Sequence, residues 1–345
     1  MPVPSDRRPS AQSSEPLAAI RAGNESDYVA LVERYRHQLH VHCYRMVGSL
    51  EDAEDLVQET ILRAWRKRTS FEGRSTFRGW LYRIATNACL DFLERRPRRV
   101  LPPDVVPASD PLLELPAPAA FPWLDPYPDL MLEPVAASGA DPEELIVEKE
   151  TIELAFMAAI QHLPPRRRAV LILRDVLGFS AKETAAVLAM SVASVNSTLQ
   201  RARSTLESRL PRHRLDWVAA AETSTAERDL LERYMQAHEQ GDMASLAQLL
   251  REDARVSAAP LPLWFDGREA FLASARRSAR AGRFRFMATS ANRQLAAGSY
   301  VKEAGGSGYR PLAIDVLRIE LGRVAEIVTF VRPDLFPAFG LPARL

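Results

Sequence analysis

The chain has 345 residues, of which 47% are hydrophobic and 26% are charged, and its formal net charge is +1. A single hydrophobic core rarely exceeds about 250 to 300 residues, so this length predicts two or three domains. No apolar run approaches the ~18 residues that a membrane span needs, and the N-terminus lacks the apolar segment of a secretory signal. The only two cysteines, Cys43 and Cys89, cannot build a disulfide framework, so we expect a cytoplasmic protein without a membrane partner.

The charge is unevenly distributed along the chain. Residues 28–99 carry 14 Lys or Arg against 9 Asp or Glu, and residues 149–214 carry 11 against 5. Residues 100–148 hold 10 acidic residues and no Lys or Arg, whereas residues 215–345 balance 17 basic against 16 acidic residues. The two basic segments predict contact with nucleic acid, although solvated helix faces would produce part of the same excess.

Composition and periodicity together divide the chain into segments. The expected segments are a flexible N-terminus (1–27), an all-α module (28–96), a Pro-rich acidic linker (97–141), a second helical module (142–210), a connector (211–225) and an α+β domain (226–340).

The first module has apolar residues at helical spacing, which predicts three or four helices. In the helix that begins near Phe77, the expected core stripe is Leu81, Ala85, Ala88 and Phe92. Trp80, Arg83 and Asn87 share a different ridge, where an indole, a cation and an amide would suit single-stranded DNA. The alternative is that Trp80 belongs to the core.

The linker is rich in proline and in acidic residues. Residues 97–142 contain 12 of the 25 prolines, a density that favours extended backbone. Apolar and aromatic residues in the segment 121–133 predict that the linker docks on another surface, and the alternative is a disordered spacer kept soluble by its charge.

The pattern of the second module predicts a helix-turn-helix. Ser180 and Glu183 form a capping box, and Ser191 is placed to cap the next helix. That helix has the apolar stripe Val192, Val195, Leu199, Ala202 and Leu206, and the polar residues Ser194, Ser197, Thr198 and Arg201 are expected on its opposite face. An ordinary helical hairpin is the alternative.

In the last domain, helices are expected over 230–240, 244–250 and 269–281, and strands near 283–289, 313–321 and 324–331. Asp315 interrupts an apolar strand and faces either inward or outward. The candidate lining of an apolar pocket is Trp264, Tyr300, Tyr309 and Asp315. No convincing acid/base pair, metal-ligand set or phosphate-binding loop is present, so we expect no enzyme activity, no metal and no cofactor.

Two ordered stretches resemble a known family. Residues 52–96, DAEDLVQETILRAWRKRTSFEGRSTFRGWLYRIATNACLDFLERR, look like the second conserved region of extracytoplasmic-function (ECF) sigma factors of bacterial RNA polymerase. Residues 163–210, which begin LPPRRRAVLILRDVLGFSAKE, resemble their fourth region. The stretches LPLWFDGREAFL and GYRPLAIDVLRIELGRVAEIVTFVRPDLFPAFGLP resemble the SnoaL-like, cone-shaped C-terminal domain that one subgroup carries.

The resemblance implies roles for individual positions. Residues matching the helix that docks on the polymerase clamp are Asp52, Glu54, Asp55, Leu56, Gln58 and Glu59. Residues matching the region that captures the melted minus-ten strand are Phe71, Glu72, Arg74, Ser75, Thr76, Trp80, Arg83, Ile84 and Asn87. Candidate minus-thirty-five contacts are Ser191, Ser194, Asn196, Ser197, Thr198, Gln200, Arg201 and Arg203.

The match departs from the family at one point. The commoner pattern places Arg or Lys near the positions held here by Asn196 and Thr198, which predicts adenine preference or weaker reading of the minus-thirty-five element. Arg166, Arg167 and Arg168 begin the preceding helix, either as phosphate contacts or as solvated charges.

We therefore expect a sigma factor whose partners are core RNA polymerase and promoter DNA. Its C-terminal domain would regulate by intramolecular contact with the helical modules or the linker, with a small-molecule ligand as a further candidate partner. The alternatives are a helix-turn-helix regulator with a ligand-sensing domain, which would not need the clamp-like helix, and a SnoaL-type enzyme tethered to DNA.

Overall fold

The computed structural model describes residues 25–71, 76–132, 152–209, 224–281, 283–303 and 308–345. It divides into two compact units. The first unit contains the described residues up to Pro97 and those from Ile160 to Arg209. The second contains the described residues of the segments 98–132 and 152–159 and those from Ser224 onward. The N-terminal residues 1–24 and most of the connector, 210–223, lie outside the described residues.

The first module consists of three long helices, which confirms the helical prediction. They are α1 (Glu25–Val47), α2 (Leu50–Arg66) and α3 (Phe77–Leu93), with a short 3-10 turn at Arg68–Ser70. Ser49 caps α2 and Thr76 caps α3, each through its side-chain oxygen. Such caps satisfy backbone N–H groups that a helix leaves unpaired at its start, so these boundaries are fixed locally.

The segment predicted as the second module contains α4 (Leu154–Gln161), α5 (Pro165–Leu171), α6 (Ala181–Leu188) and α7 (Val192–Glu207). Residues 154–159 of α4 belong to the second unit, so within the first unit this module consists of residues 160–209. A π-helical turn, Ile172–Val176, extends α5. The predicted capping box forms between Ser180 and Glu183, and Ser191 caps α7. Ala189 adopts a left-handed conformation (φ 51°) that ends α6, so α6 and α7 form the predicted helix-turn-helix.

The two helical modules pack against each other within the first unit, through α3 against α5 and α6. The Tyr82 and Phe179 rings lie 5.4 Å apart, and the Arg78 guanidinium lies 5.0 Å from the Phe179 ring. Arg168, one of the three expected surface arginines, is instead only 2% exposed. It donates to the backbone carbonyls of Met46 in α1 and of Gln161 and Leu163 in its own module. These hydrogen bonds offset part of the cost of burying a cation.

The second unit is built on a six-stranded sheet with the order β2-β1-β6-β5-β4-β3. The strands are β1 (Leu250–Ala259), β2 (Leu263–Asp266), β3 (Phe284–Ala291), β4 (Gln294–Lys302), β5 (Tyr309–Glu320) and β6 (Arg323–Phe330). All neighbouring pairs are antiparallel except β1 and β6. Helices α8 (Thr225–Gln240), α9 (Met243–Leu249) and α10 (Arg268–Ala281) pack on one face around a core that includes Tyr234, Phe265 and Leu317.

Three strands were missing from the sequence prediction. β1 begins with the polar run REDAR, β2 has only four residues, and β4 is dominated by small residues around Gly298. Gly298 is required by packing, because a Cβ there would lie 2.4 Å from Leu341. The C-terminal segment thus covers the sheet face away from the helices, and a small residue at this point is a tertiary requirement that periodicity does not reveal.

The linker residues 98–132 belong to the second unit and are ordered against its sheet. The turn Pro102–Asp104 contacts β1 and β2, and the turn Asp129–Met131 contacts β3. Because β2 and β3 are the two edge strands, the linker runs from one edge of the sheet to the other. No helix among the described residues is long and apolar enough to span a bilayer.

Candidate nucleic-acid and protein interfaces

One surface of α3 exposes Arg83 and Asn87 but not Trp80. The Trp80 side chain is only 9% exposed, and its ring lies 5.3 Å from that of Phe71 and 5.6 Å from that of Phe77. The expected exposed position of Trp80 is therefore wrong, and the core alternative is correct. Packing three aromatic rings against one another removes a large apolar area from water, and this gain buries Trp80. Helical periodicity alone had placed Trp80 on the exposed ridge.

The described residues expected to capture the melted minus-ten strand divide into a buried layer and exposed positions. Phe71 and Ile84 are each 7% exposed, whereas Asn87 faces solvent. The hydroxyl of exposed Thr76 accepts a hydrogen bond from the Gly79 amide at 3.1 Å. The remaining residues of this predicted set, Glu72, Arg74 and Ser75, lie outside the described residues.

On α7, most residues expected to face DNA are exposed: Ser191, Asn196, Ser197, Gln200, Arg201 and Arg203. Ser194 is half-buried, and Thr198 is only 6% exposed, so its expected place on the outer face is wrong. Thr198 lies three residues after Val195 and four before Ala202, both fully buried, and the 3.6-residue period turns it toward that side. Val192, expected in the apolar stripe, is 45% exposed in the first turn.

Arg203 is already engaged by a carboxylate. Its guanidinium donates to both oxygens of Asp175, at 2.8 and 2.7 Å, and this interaction raises its pKa. Arg201 instead places its guanidinium 3.4 Å from the Thr198 hydroxyl. A groove of about 530 Å³ follows α7, lined by Arg174, Asn196, Leu199, Gln200, Arg203, Ser204 and Glu207. The exposed surface of α7 is therefore mainly amide and hydroxyl, with Arg201 as its most available cation.

The acidic helix α2 has few acids that are both exposed and unengaged. Glu54 accepts hydrogen bonds from Arg36 and Gln58, and Glu59 accepts one from Arg63 at 2.7 Å. Asp52 lies 3.7 Å from Arg96. Leu56, expected at the docking surface, is 6% exposed and belongs to the core of the module. Asp55 and Gln58 are the exposed members of the predicted set.

The interior of the C-terminal domain contains a polar cluster that only the fold brings together. Asp315 is 7% exposed and points inward, one of the two orientations considered. It accepts hydrogen bonds from Tyr234 at 3.0 Å and from Thr329 at 2.7 Å. Burial raises the pKa of Asp315, and the two hydroxyl donors oppose that shift. Tyr234 was not singled out because it lies 81 residues away on a helix of ordinary amphipathic pattern.

The other candidate pocket residues do not meet Asp315. The Tyr300 ring packs at 5.1 Å on Phe336, on the opposite face of the sheet, and its hydroxyl donates to the Pro342 carbonyl. The Trp264 indole donates to the Val106 carbonyl in the linker. Tyr309 pairs through its backbone with Leu345 at the C-terminus. The expectation that Trp264, Tyr300, Tyr309 and Asp315 line one pocket is therefore wrong. In the part of the chain described, no three His, Cys, Asp or Glu side chains come together as metal ligands.

His238 lies beside this cluster, with its ring 4.5 Å from that of Tyr234 and 5.4 Å from that of Phe286. Its Nε2 atom is fully buried without a hydrogen-bond partner, and burial lowers the pKa of His238 to about 4. The unfolded chain binds a proton near pH 6.5 and the folded chain only near pH 4. The contribution of His238 to folding is therefore complete above pH 6.5 and is lost as the pH falls toward 4.

We accordingly expect His238→Phe to flatten the pH dependence of stability. Between pH 7 and pH 5 the wild-type protein should lose about 1 to 2 kcal/mol more than the variant, because each pKa unit corresponds to roughly 1.4 kcal/mol. Urea midpoints at the two pH values measure this difference. Equal losses in both proteins would show that His238 is not protonated on unfolding in this range.

The linker is attached to the C-terminal domain by backbone hydrogen bonds. The Ser109 amide donates to Trp264 and the Ala119 amide to Pro260. Asn292 is fully buried with a positive φ of 55°; its amide donates to the Tyr127 carbonyl, and its Oδ1 accepts from the Tyr127 amide at 2.8 Å. Tyr127 is itself fully buried, so this joint removes both polar and apolar groups from solvent.

The acidic side chains of the linker take part in this attachment. Asp125 is 5% exposed and accepts a hydrogen bond from Arg332 at 2.7 Å, while Asp129 accepts one from the Arg293 amide at 2.8 Å. Asp104 accepts one from the Leu101 amide. Within residues 98–132 the carboxylates are therefore largely structural, rather than a uniform strip of free negative charge. The acidic residues from 133 to 148 lie outside the described residues.

Comparison with known proteins agrees with this arrangement of domains. Residues 31–99 match the family model of Sigma-70 region 2, residues 153–206 that of Sigma-70 region 4, and residues 231–327 that of the SnoaL-like domain. The chain is 43% identical over 323 residues to the ECF RNA polymerase sigma factor SigG of Mycobacterium tuberculosis, covering 92% of this chain and 85% of that protein. It is 34% identical over 188 residues to SigE of Mycolicibacterium smegmatis, covering 53% of this chain and 61% of that protein.

These matches define a sigma-type initiation factor with two DNA-binding modules and an added domain. The chain belongs to the ECF sigma factors of RNA polymerase. The crystal structure of the Mycobacterium tuberculosis ECF sigma factor SigJ has the same fold, with a TM-score of 0.55 at 23% identity over 91% of this chain and 99% of that one. The protein directs core polymerase to promoters for transcription initiation, and the alternative of a regulator that does not recruit polymerase is not favoured.

Proposed function

We propose that three surfaces of the first unit divide the work of initiation, and that the second unit regulates it. Asp55 and Gln58 of α2 contact core polymerase, the surface around Asn87 of α3 reads the melted minus-ten strand, and the outer face of α7 reads the minus-thirty-five duplex. The observation that carries this proposal is that all three surfaces remain exposed while the two modules pack on each other through other faces.

The minus-ten proposal rests on the layered arrangement at α3. Asn87 offers one donor and one acceptor at the surface, which suits the edge of an unpaired base. Arg83, one turn away, is exposed and suits phosphate. Phe71, Trp80 and Ile84 form the apolar layer beneath. A captured base would stack against this layer after a ring shifts, and the stacking would offset part of the cost of unpairing.

The minus-thirty-five proposal follows from the chemistry of α7. Asn196 and Gln200 are exposed amides, and amides pair in bidentate fashion with adenine in the major groove. Arg203 is bound to Asp175, so it contacts phosphate only if that ion pair opens. Thr198 is buried and is removed from the set of proposed base contacts. We therefore propose an adenine-containing minus-thirty-five element.

The regulatory proposal rests on the attachment of the linker. In ECF sigma factors, the linker between the two DNA-binding regions passes through the active-site cleft of polymerase. In this chain, residues 98–132 of the linker are instead hydrogen-bonded along the sheet of the C-terminal domain. A linker in that position is not available to polymerase, so the C-terminal domain would act as an internal inhibitor that binds rather than as an enzyme. The high effective concentration of a covalently joined partner supports such a role.

Asp125→Lys tests this regulatory role. A lysine would face Arg332 in a site that is 5% exposed, so the linker should detach, and transcription from the cognate promoter should rise several-fold. Asp110→Lys is the matched control, because it makes the same charge change at an exposed linker position. Hydrogen exchange at the amides of Tyr127 and Asn292 reports detachment directly. If exchange rose in Asp125→Lys without a change in transcription, the linker would not be inhibitory.

Point substitutions are preferable to deletion of the C-terminal domain. Trp123, Leu124 and Tyr127 are each less than 10% exposed in the second unit. Deleting the sheet would leave these apolar side chains in solvent, so a truncated chain would differ in solubility as well as in regulation.

A further inference from the structure

An ion pair fixes one arginine at the groove along α7. The Nε and Nη2 atoms of Arg203 donate to the two carboxylate oxygens of Asp175, at 2.8 and 2.7 Å. Asp175 lies in the π-helical turn that follows α5, 28 positions earlier in the sequence. Only 17% of the Asp175 side chain is exposed, against 55% of the Arg203 side chain. The carboxylate is therefore shielded by the guanidinium that it holds, while the arginine itself still reaches solvent.

Arg203 shares a ridge of α7 with the two amides that are proposed to read adenine. Asn196, Gln200 and Arg203 follow one another at intervals of four and three residues, which places them on one face of the helix. All three line the same groove of about 530 Å³. A duplex that meets the two amides would therefore bring its sugar-phosphate backbone close to Arg203.

Asp175 occupies an edge of Arg203 that would otherwise bind phosphate. A guanidinium binds phosphate most strongly through two parallel N–H groups, and here the Nε and Nη2 pair is already donated to a carboxylate. The carboxylate also cancels the charge of the arginine. A neutral pair releases no counterion from DNA, so Arg203 adds little to the sequence-independent affinity while the ion pair is closed.

We propose that Asp175 is a positioning residue that withholds Arg203 from the phosphates of DNA and so limits the affinity of α7 for duplexes of any sequence. This inference rests on the proposed reading of the minus-thirty-five duplex by α7. With Arg203 withheld, Arg201 remains as the available cation, and the exposed amides of Asn196 and Gln200 supply a larger share of the binding free energy. Base contacts then decide where the module binds, because base contacts carry the sequence information and phosphate contacts do not.

Asp175→Asn tests the inference, because it removes the negative charge and keeps the size of the side chain. The full-length variant and the wild type are titrated into two fluorescent duplexes of equal length, one of A·T pairs and one of G·C pairs. One additional phosphate contact steepens the dependence of log K on log salt by about 0.9. The variant should therefore bind both duplexes at least about threefold more tightly at about 50 mM salt. It should also lose about three- to fourfold more affinity than the wild type between about 50 and 200 mM salt.

Three further variants separate the ion pair from net charge and from folding. Asp175→Glu keeps a carboxylate within reach of Arg203 and should retain the wild-type salt dependence. The double variant Asp175→Asn with Arg203→Gln has the net charge of the wild type and should lose the whole gain. Glu207→Gln is the matched control for charge, because Glu207 is exposed on α7 and lines the same groove. It should reproduce little of the change, since Arg203 stays paired with Asp175.

Four outcomes overturn the inference. Unchanged affinity and salt dependence in Asp175→Asn would show that the released Arg203 does not reach phosphate. Weaker binding would show that the ion pair supports the DNA-binding surface. A gain confined to the G·C duplex would assign Arg203 to guanine, and an equal gain in Glu207→Gln would assign the effect to net charge.

Arg201→Gln distinguishes these results from a failure of the proposed function. Arg201 is exposed on α7, so its replacement should weaken binding to both duplexes and reduce the salt dependence by about 0.9. If Arg201→Gln weakens binding and Asp175→Asn changes nothing, only the role of Asp175 is wrong. If neither variant changes binding, α7 does not contact duplex DNA, and the proposed minus-thirty-five reading is wrong as well.

Discussion

Replacing Asp55 by lysine should abolish co-purification of the protein with core RNA polymerase. Asp55 is exposed in the middle of α2, and its carboxylate is the clearest unengaged charge of the predicted clamp-binding set. Reversing a charge at an interface replaces attraction by repulsion and costs about 2 to 5 kcal/mol. That cost corresponds to binding weaker by at least about thirtyfold, which a titration of labelled polymerase would measure.

Glu51→Lys is the matched control for this experiment. It makes the same charge change on the same helix, one turn earlier, at an exposed position outside the predicted set. We expect Glu51→Lys to retain most of the affinity, and both variants to keep the helical content of the wild type. Retained binding by Asp55→Lys at physiological salt would move the polymerase contact away from this face of α2.

The second large effect is expected from Asn87→Ala. The change removes an exposed amide from α3 and leaves the buried layer of Phe71, Trp80 and Ile84 in place. A good base-edge contact contributes about 1 to 3 kcal/mol of discrimination, so opening of the cognate promoter should slow by roughly tenfold or more. Preference at one minus-ten position should relax, while affinity for core polymerase stays unchanged.

Promoters carrying each of the four bases at every minus-ten position measure this effect through open-complex formation. Glu94→Ala, at the exposed end of the same helix, should behave as wild type. If Asn87→Ala slowed opening equally on every base variant, the side chain would act on the strand backbone and not on a base. If it had no effect, this part of α3 would not touch the strand.

The features that could be predicted from the sequence are those that depend on neighbouring residues. Ser180, Glu183 and Ser191 cap helices through contacts within three residues, and the structure has those caps. The same local logic located the helices of both modules. The resemblance to sigma factors then supplied the roles of the domains, which composition and periodicity alone could not provide.

Errors arose where burial depends on distant partners. Trp80 is buried by contact with the rings of Phe71 and Phe77. Arg168 is buried with a hydrogen bond to the Met46 carbonyl in α1, which is 122 positions away in the sequence. Strand β4 was missed because Gly298 and its small neighbours are selected by close packing against Leu341, not by hydrophobic alternation. Asp315 was recognised as unusual, but its partner Tyr234 lies on a different element, so no local pattern links them.

The joint between Tyr127 and Asn292 also bears on how the chain is made. The two residues are separated by 165 positions, so the linker leaves the ribosome well before the strands on which it packs. At roughly 5 to 20 residues per second, the delay is about 8 to 30 s, far longer than helical modules need to fold. A nascent chain therefore carries folded promoter-binding modules and an undocked linker before the sheet of the C-terminal domain has been synthesised. Translation speed between the codons of Tyr127 and Asn292 would set how long that interval lasts.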